Sequence, residues 1–315
     1  MKRQVSLVFI IICFCLLSCI PKSNKQSKKT GIELVVLGTV QDAGSPQIGC
    51  KKKCCKELLA QGVSERMVVS LGAIDHHTKE QYLFEATPDL PFQLYHLQQV
   101  SNRSILPDGI FITHAHIGHY TGLMHLGKEA MNSKGVKVYT MNGMKEFLTQ
   151  NGPWDQLVSN KNIELVSIEA SKEIMLNKSL SVTPFLVPHR DEYSETVGFK
   201  IKGREKTALF IPDIDKCNKW EQSIIKEIRN VDYAFIDGTF YSSAEIGRRN
   251  IAEIPHPFIE ESINLFEKLS PEERNKVYFI HYNHTNPVLD IENKACKEIQ
   301  DKGFHLARKN DRFQL

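Results

Sequence analysis

Thr113-His114-Ala115-His116-Ile117-Gly118-His119-Tyr120-Thr121-Gly122-Leu123 places three of the chain's 12 histidines within six residues. The run before it, Gly109-Ile110-Phe111-Ile112, is short, apolar and partly β-branched, and predicts a buried strand. After it, Leu123, Met124, Leu126 and Met131 predict a helix, with Tyr120 to Gly122 near its first turn. The histidines therefore fall on a strand-to-helix loop. Neutral imidazole is a common metal ligand, and a short loop aims several rings at one point with little ordering cost. The alternative is three unrelated polar loop histidines, which such close spacing argues against.

Working outward, 315 residues suffice for one large core or two modest ones. Hydrophobic residues at 41% and charged residues at 24% are ordinary for a globular protein. A net charge of +3, part of it in the N-terminal tail, gives no argument for nucleic acid. Lys2 and Arg3 precede an apolar run over residues 5–17, the length of a signal-peptide core and short for a membrane span. Leu16-Leu17-Ser18-Cys19 resembles a bacterial lipobox, which implies cleavage before Cys19 and lipidation of that residue; an uncleaved anchor helix is the alternative. Residues 19–31 read as a flexible, basic tether, leaving 32–315 as a single domain. The expectation is a lipoprotein of the bacterial cell envelope, held to a bilayer on the periplasmic side.

Residues 33–38 predict the first strand, followed by a turn-rich loop to Cys50-Lys51-Lys52-Lys53-Cys54-Cys55. Three cysteines so close read as zinc ligands, as disulfide partners or as buried thiols; their proximity favours metal, while export favours a disulfide. Further strands are expected at 66–73, 81–86, 135–140, 163–168, 180–187, 196–201, 206–211, 233–236, 276–280 and 303–308. Helices are expected at 90–100, 144–150, 220–229, 258–269 and 295–301. His76 and His77 fall in a polar hairpin loop and His96 within a helix, none of them a favoured ligand. Strand after strand ends in a ligand-type residue: His114, His189, Asp213, Asp237 and His281. A rim of strand ends is a rigid place to build a site.

The triplet's spacing resembles the His-x-His-x-Asp-His signature of the metallo-β-lactamase fold superfamily. The resemblance implies an α/β protein, an αββα sandwich of two mixed β-sheets flanked by helices. It also implies a metal centre: His114, His116 and His189 on a first ion, and His119, His281 and Asp213 on a second, with Asp213 spanning both. Gly118 stands where the signature has Asp, so the second position is short by one carboxylate. His256, between two prolines, is expected either to replace that ligand or to act as a general acid; Asp237 is expected to fix a ligand histidine's tautomer. The loop Gly38-Thr39-Val40-Gln41-Asp42-Ala43-Gly44, with Asp237-Gly238-Thr239-Phe240 and Thr285-Asn286-Pro287, resembles the pyrroloquinoline quinone biosynthesis protein B family. His281-Tyr282-Asn283-His284 has the spacing of the cyclic phosphodiesterases of phosphonate catabolism. That branch implies a structural zinc on Cys50, Cys54, Cys55 and His284.

The ions imply the chemistry: one or two catalytic Zn2+, with Mn2+ or Fe2+ as substitutes, activate a water for attack on a small-molecule substrate, foremost a phosphodiester or related ester. No Gly-x-Ser-x-Gly elbow and no phosphate-cradling Gly-x-x-x-x-Gly-Lys loop competes. Two other expectations stand beside it. One is a metal-dependent redox step on a quinone precursor. The other is a non-catalytic lipoprotein that keeps a degenerate ligand-binding site.

Overall fold

The computed structural model describes residues 31–62, 65–103, 106–247 and 250–315. The signal peptide, Cys19 and all but the last residue of the tether lie outside them.

The strands are β1 (Ile32–Gly38), β2 (Ser70–Asp75), β3 (Gln81–Phe84), β4 (Gly109–Phe111), β5 (Val136–Thr140), β6 (Ile163–Ser167) and β7 (Ile174–Met175). Then follow β8 (Ser181–Leu186), β9 (Val197–Lys202), β10 (Thr207–Ile211), β11 (Tyr233–Asp237), β12 (Val277–Ile280), β13 (His305–Leu306) and β14 (Arg312–Gln314). They form two seven-stranded sheets, ordered β14-β1-β2-β3-β4-β5-β6 and β13-β12-β11-β10-β9-β8-β7. Both sheets are mixed: β3 to β6 and β10 to β13 pair in parallel, the rest antiparallel.

Strands buried on both faces read as unbroken apolar runs, because each face needs its own apolar set. In β1, Ile32, Leu34 and Val36 face the second sheet, and Val35 and Leu37 pack with Leu90, Leu94 and Leu97 of the helix Leu90–Ser101. In β10, Ala208 and Phe210 point between the sheets. Leu209 and Ile211 meet Ile224, Ile259, Ile263 and Phe266 on the outer helices. Phe84, Phe111 and Tyr139 stack in series at centroid distances of 5.1 and 4.3 Å, which fixes the middle of the first sheet against Phe199. The expected α/β sandwich with flanking helices is the observed architecture.

Local differences have local causes. The helix expected over 220–229 begins only at Ile224, where Ser223 caps it by accepting from Lys226 N–H at 3.4 Å. The helix expected after the histidines starts earlier: one turn, Ile117–Tyr120, holds His119 itself and continues as a 3-10 turn, so only His114 and His116 lie on the loop. β14 was not expected: among its three residues only Phe313 is buried, too short a pattern to register. It nevertheless returns the chain's end to the edge of β1. The helix Lys53–Gln61, which carries Cys54 and Cys55, was also not expected.

Candidate metal centre

The carboxyl ends of the parallel strands open onto one rim, where open α/β sheets build their sites. Glu85 follows β3, His114 follows β4, Asp213 follows β10, Asp237 ends β11 and His281 follows β12. His189 comes off β8. Glu85 and His281 have left-handed backbones, φ +82° and +69°, a conformation that side-chain-bearing residues adopt only where the surroundings demand it.

Two groups of ligand atoms share Asp213. In the first, His114 Nε2 lies 2.8 Å from His116 Nδ1 and 3.5 Å from Asp213 Oδ2. His189 Nε2 is 3.3 Å from Asp213 Oδ1, and neither atom makes a hydrogen bond. In the second, His119 Nε2 is 3.0 Å from Asp42 Oδ1 and 3.5 Å from Asp213 Oδ2. His281 Nε2 is 3.1 Å from the same Asp42 oxygen and 3.7 Å from Asp213 Oδ2. Buried polar atoms that face one another without hydrogen bonds are costly unless a cation sits among them. The donor set fits divalent zinc: imidazole nitrogens plus carboxylate oxygens, with Asp213 between two positions.

Outer partners hold the rings. Thr113 Oγ1 is 2.9 Å from His114 Nδ1, and Thr239 Oγ1 is 2.8 Å from His281 Nδ1. Glu85, fully buried, sets its Oε1 3.2 Å from His119 Nδ1. Thr239 Oγ1–H already donates to Asp237, so it accepts from His281 Nδ1–H and leaves Nε2 for a cation, and the Glu85 carboxylate favours a proton on the His119 edge it faces. Burial holds His114 well below the ordinary histidine range and lowers His189 as well, so both are neutral, the ligating form. Burial works against charge on Asp213 too, but His189, His281 and His256 outweigh it and hold the carboxylate ionised. His119 is raised well above its usual value because Asp42 and Glu85 outweigh its burial. Carboxylates that hold a proton there are the groups that hold a metal in its place.

Asp42 is the residue that sequence reasoning missed, and it corrects the expectation that the second position lacks a carboxylate. A Cβ on Gly118 would fall 2.5 Å from Asp42 Cα and 2.8 Å from its Cγ, so glycine makes room for a carboxylate from another loop. The Asp42 loop is pinned to the end of β12: Tyr282 N–H donates to Thr39 O at 2.8 Å and Gln41 N–H to Tyr282 O at 2.9 Å. Gly118→Ala is therefore expected to displace Asp42 and lower metal affinity at the second position by about 10–100-fold. Chelator competition measures it, and unchanged affinity would refute the packing argument.

His256 does not take the place vacated at Gly118. Its Nδ1 lies 2.8 Å from Asp237 Oδ2 and 3.1 Å from Asp213 Oδ1. Burial opposes its protonation, but Asp237 and Asp213 outweigh burial and push it up to about 10. Asp237 in turn accepts from Thr239 N–H and Oγ1–H at 2.9 and 2.7 Å. Asp237 therefore orients His256 directly and reaches the ligand His281 only through Thr239. These two residues with Asp213 and His281 form a third cluster of ligand-type atoms.

A separate cluster joins Cys50, Cys54, Cys55 and His284, whose ligand atoms all lie within 4.8 Å of one another. All three cysteines are free, and Cys54 Sγ is 4.0 Å from Cys55 Sγ, about twice a disulfide bond length. Cys54 and Cys55 both sit in the first turn of the helix Lys53–Gln61, and burial pushes the Cys55 thiol up to about 11. Burial lowers His284, again the ligating form. Of the other histidines, His76 pairs with Glu33 at 2.8 Å and neither His77 nor His96 joins a cluster.

A sandwich of two mixed sheets with this His/Asp rim defines a metallo-β-lactamase-type protein. The family model for the beta-lactamase superfamily domain matches residues 80–282, and the chain belongs to that family. It is 26% identical over 316 residues to coenzyme PQQ synthesis protein B of Gluconobacter oxydans (strain 621H), covering 90% of this chain and 99% of that one. The protein of the same name from Acinetobacter baylyi is 24% identical, over 84% of this chain and 95% of its own. Among solved structures, zinc-bound PqqB from Methylobacterium extorquens superposes with a TM-score of 0.74 at 21% identity, over 90% of this chain and 100% of that one. A diphosphatase of the PhnP family superposes with a TM-score of 0.66 at 19% identity, over 91% and 98%.

Proposed function

We propose that the protein is a metal-dependent hydrolase of phosphodiesters or related esters, exported and held to a bilayer by lipid on Cys19. The observation that carries the hydrolase is Asp213, whose Oδ2 lies between His114 of the first group and His119 and His281 of the second, while its Oδ1 meets His189. Divalent cations in such a pair of positions lower the pKa of a water toward neutrality and offset charge on the oxyanion that develops. The likeness to a PhnP-family diphosphatase supports phosphorus as the centre attacked. The export and anchor rest on the N-terminal sequence alone; no helix among the described residues is long and apolar enough to cross a membrane.

The chain's own residues do the rest. Water contributes its oxygen to phosphorus and the ester P–O bond breaks. The leaving oxygen takes a proton from His256, which Asp237 keeps charged and oriented, and the proton released by the water restores it. Turnover is expected to fall on the alkaline side as His256 loses its proton, and His256→Ala should lack that limb. A chromogenic phosphodiester assayed across pH, with and without zinc or manganese, tests both points. Metal-loaded protein inert on phosphodiesters, lactones and β-lactams alike would overturn the hydrolase.

The near-complete coverage of the coenzyme PQQ synthesis proteins favours a second reading, a metal-dependent redox step on a quinone precursor. Iron in place of zinc, seen in the visible absorbance of protein purified without oxygen, would select it.

A further inference from the structure

The loop between β8 and β9 carries Arg190 directly after His189, and the metal centre makes no use of it. Its side chain is 56% exposed, with Nη2 3.4 Å from His116 Nε2 and Nη1 3.8 Å from Glu192 Oε1. Glu192 Oε2 lies 3.3 Å from the same His116 nitrogen.

The two edges of His116 have different work. Nδ1 turns inward, 2.8 Å from His114 Nε2, and is the ligand edge. A neutral imidazole that ligates through Nδ1 carries its proton on Nε2. In that form His116 Nε2–H donates a hydrogen bond to Glu192 Oε2. Arg190 cannot accept one, because guanidinium has only N–H donors, so at His116 it faces another donor. Its one carboxylate neighbour among the described contacts is Glu192, at the loose distance of 3.8 Å. A planar fork of donors thus stands at the mouth of the metal centre, weakly engaged, beside a ligand. Exposed apolar side chains adjoin it in sequence, Tyr193 in the same loop and Ile117 next to His116. Arginine's fork matches the two oxygens of a phosphate or carboxylate bidentately, which lysine cannot reproduce.

Resting on the hydrolase reading, we propose that Arg190 is the specificity residue of the rim: it binds an oxyanion on the substrate, so the preferred substrate is an anionic ester rather than a neutral one. The oxyanion is either the phosphodiester itself or a carboxylate borne by the ester.

The test uses zinc-loaded wild type, Arg190→Ala and Arg190→Lys. Calorimetry with sodium phosphate and with sodium acetate gives affinity without turnover. Kinetics on bis(p-nitrophenyl) phosphate and on neutral p-nitrophenyl acetate give specificity. Arg190→Ala should weaken phosphate binding by about tenfold or more, raise KM for the diester by a similar factor with kcat little changed, and leave the neutral ester untouched. Arg190→Lys should recover only part. Loss confined to phosphate assigns the phosphodiester, and an equal loss with acetate assigns the carboxylate. Unchanged phosphate affinity in Arg190→Ala, or an equal fall on the neutral ester, overturns the assignment. Should phosphate affinity fall as expected in a protein that hydrolyses nothing, Arg190 keeps its role and the hydrolase reading fails.

Discussion

Asp213→Asn is expected to abolish hydrolysis while the fold persists. The side chain is 2% exposed and stands against His114, His119, His189, His256 and His281, at 3.1 to 3.7 Å. The amide keeps the volume, so the two sheets have no reason to repack. What is lost is the one negative charge shared by both cation positions. A divalent cation polarising the reacting oxygen would be worth several kcal/mol of charge stabilisation, and losing about 4 kcal/mol of it corresponds to roughly 10^3-fold in rate. Metal content should fall as well, because the amide is a weaker ligand and leaves His114 and His189 without a carboxylate partner. Circular dichroism, metal analysis and kcat/KM on one preparation separate the cases. Native spectra with full metal and undiminished turnover would remove Asp213 from the chemistry.

Cys54→Ser is expected to have the largest effect on stability. Cys50, Cys54, Cys55 and His284 bring four ligand-type atoms within 4.8 Å of one another, a Cys3His set that would close around a structural zinc. Binding energy at such a site is folding energy. Here it would join the helix Lys53–Gln61 to the segment after β12, more than 200 residues apart in sequence, and add to the backbone hydrogen bonds that already tie Thr39 and Gln41 to Tyr282. The consequence reaches the rim. Asp42 lies eight residues before Cys50, and His281 three before His284. Loosening the cysteine cluster frees both loops that hold the second position. The variant should therefore lose its own zinc outright and bind the second rim ion more weakly, with a lowered Tm. Retention of the wild-type Tm and metal count would show that the thiols are merely buried.

The parts of the centre that could be read from the chain are those with a local signature. Three histidines at a strand-to-helix junction announce themselves, and His189, Asp213 and His281 each follow an apolar run long enough to recognise. Asp42 had no such signal. It sits in a turn-rich loop without periodicity, 77 residues from His119 and 239 from His281 in sequence. The available clue was negative: glycine at 118 removes a carboxylate, and a site built for cations must find another. Glu85 was hidden differently. It follows directly on β3, which stops at Phe84, but the apolar pattern continues to Ala86 and so predicts Glu85 inside a strand instead of on the rim. The sandwich itself was legible through the resemblance of the histidine spacing to the metallo-β-lactamase signature more than through periodicity, whereas β7 and β14, at two and three residues, are too short for any pattern.

Everything at the rim depends on Asp42 completing a second cation position beside the one formed by His114, His116 and His189. Elemental analysis of zinc-loaded protein after exhaustive dialysis measures this directly, on wild type and Asp42→Ala side by side. Three zinc ions per wild-type chain are expected, one at the cysteines and two at the rim, with two remaining in Asp42→Ala. Equal zinc in the two proteins would mean that Asp42 holds no ion and that the second position does not exist as described.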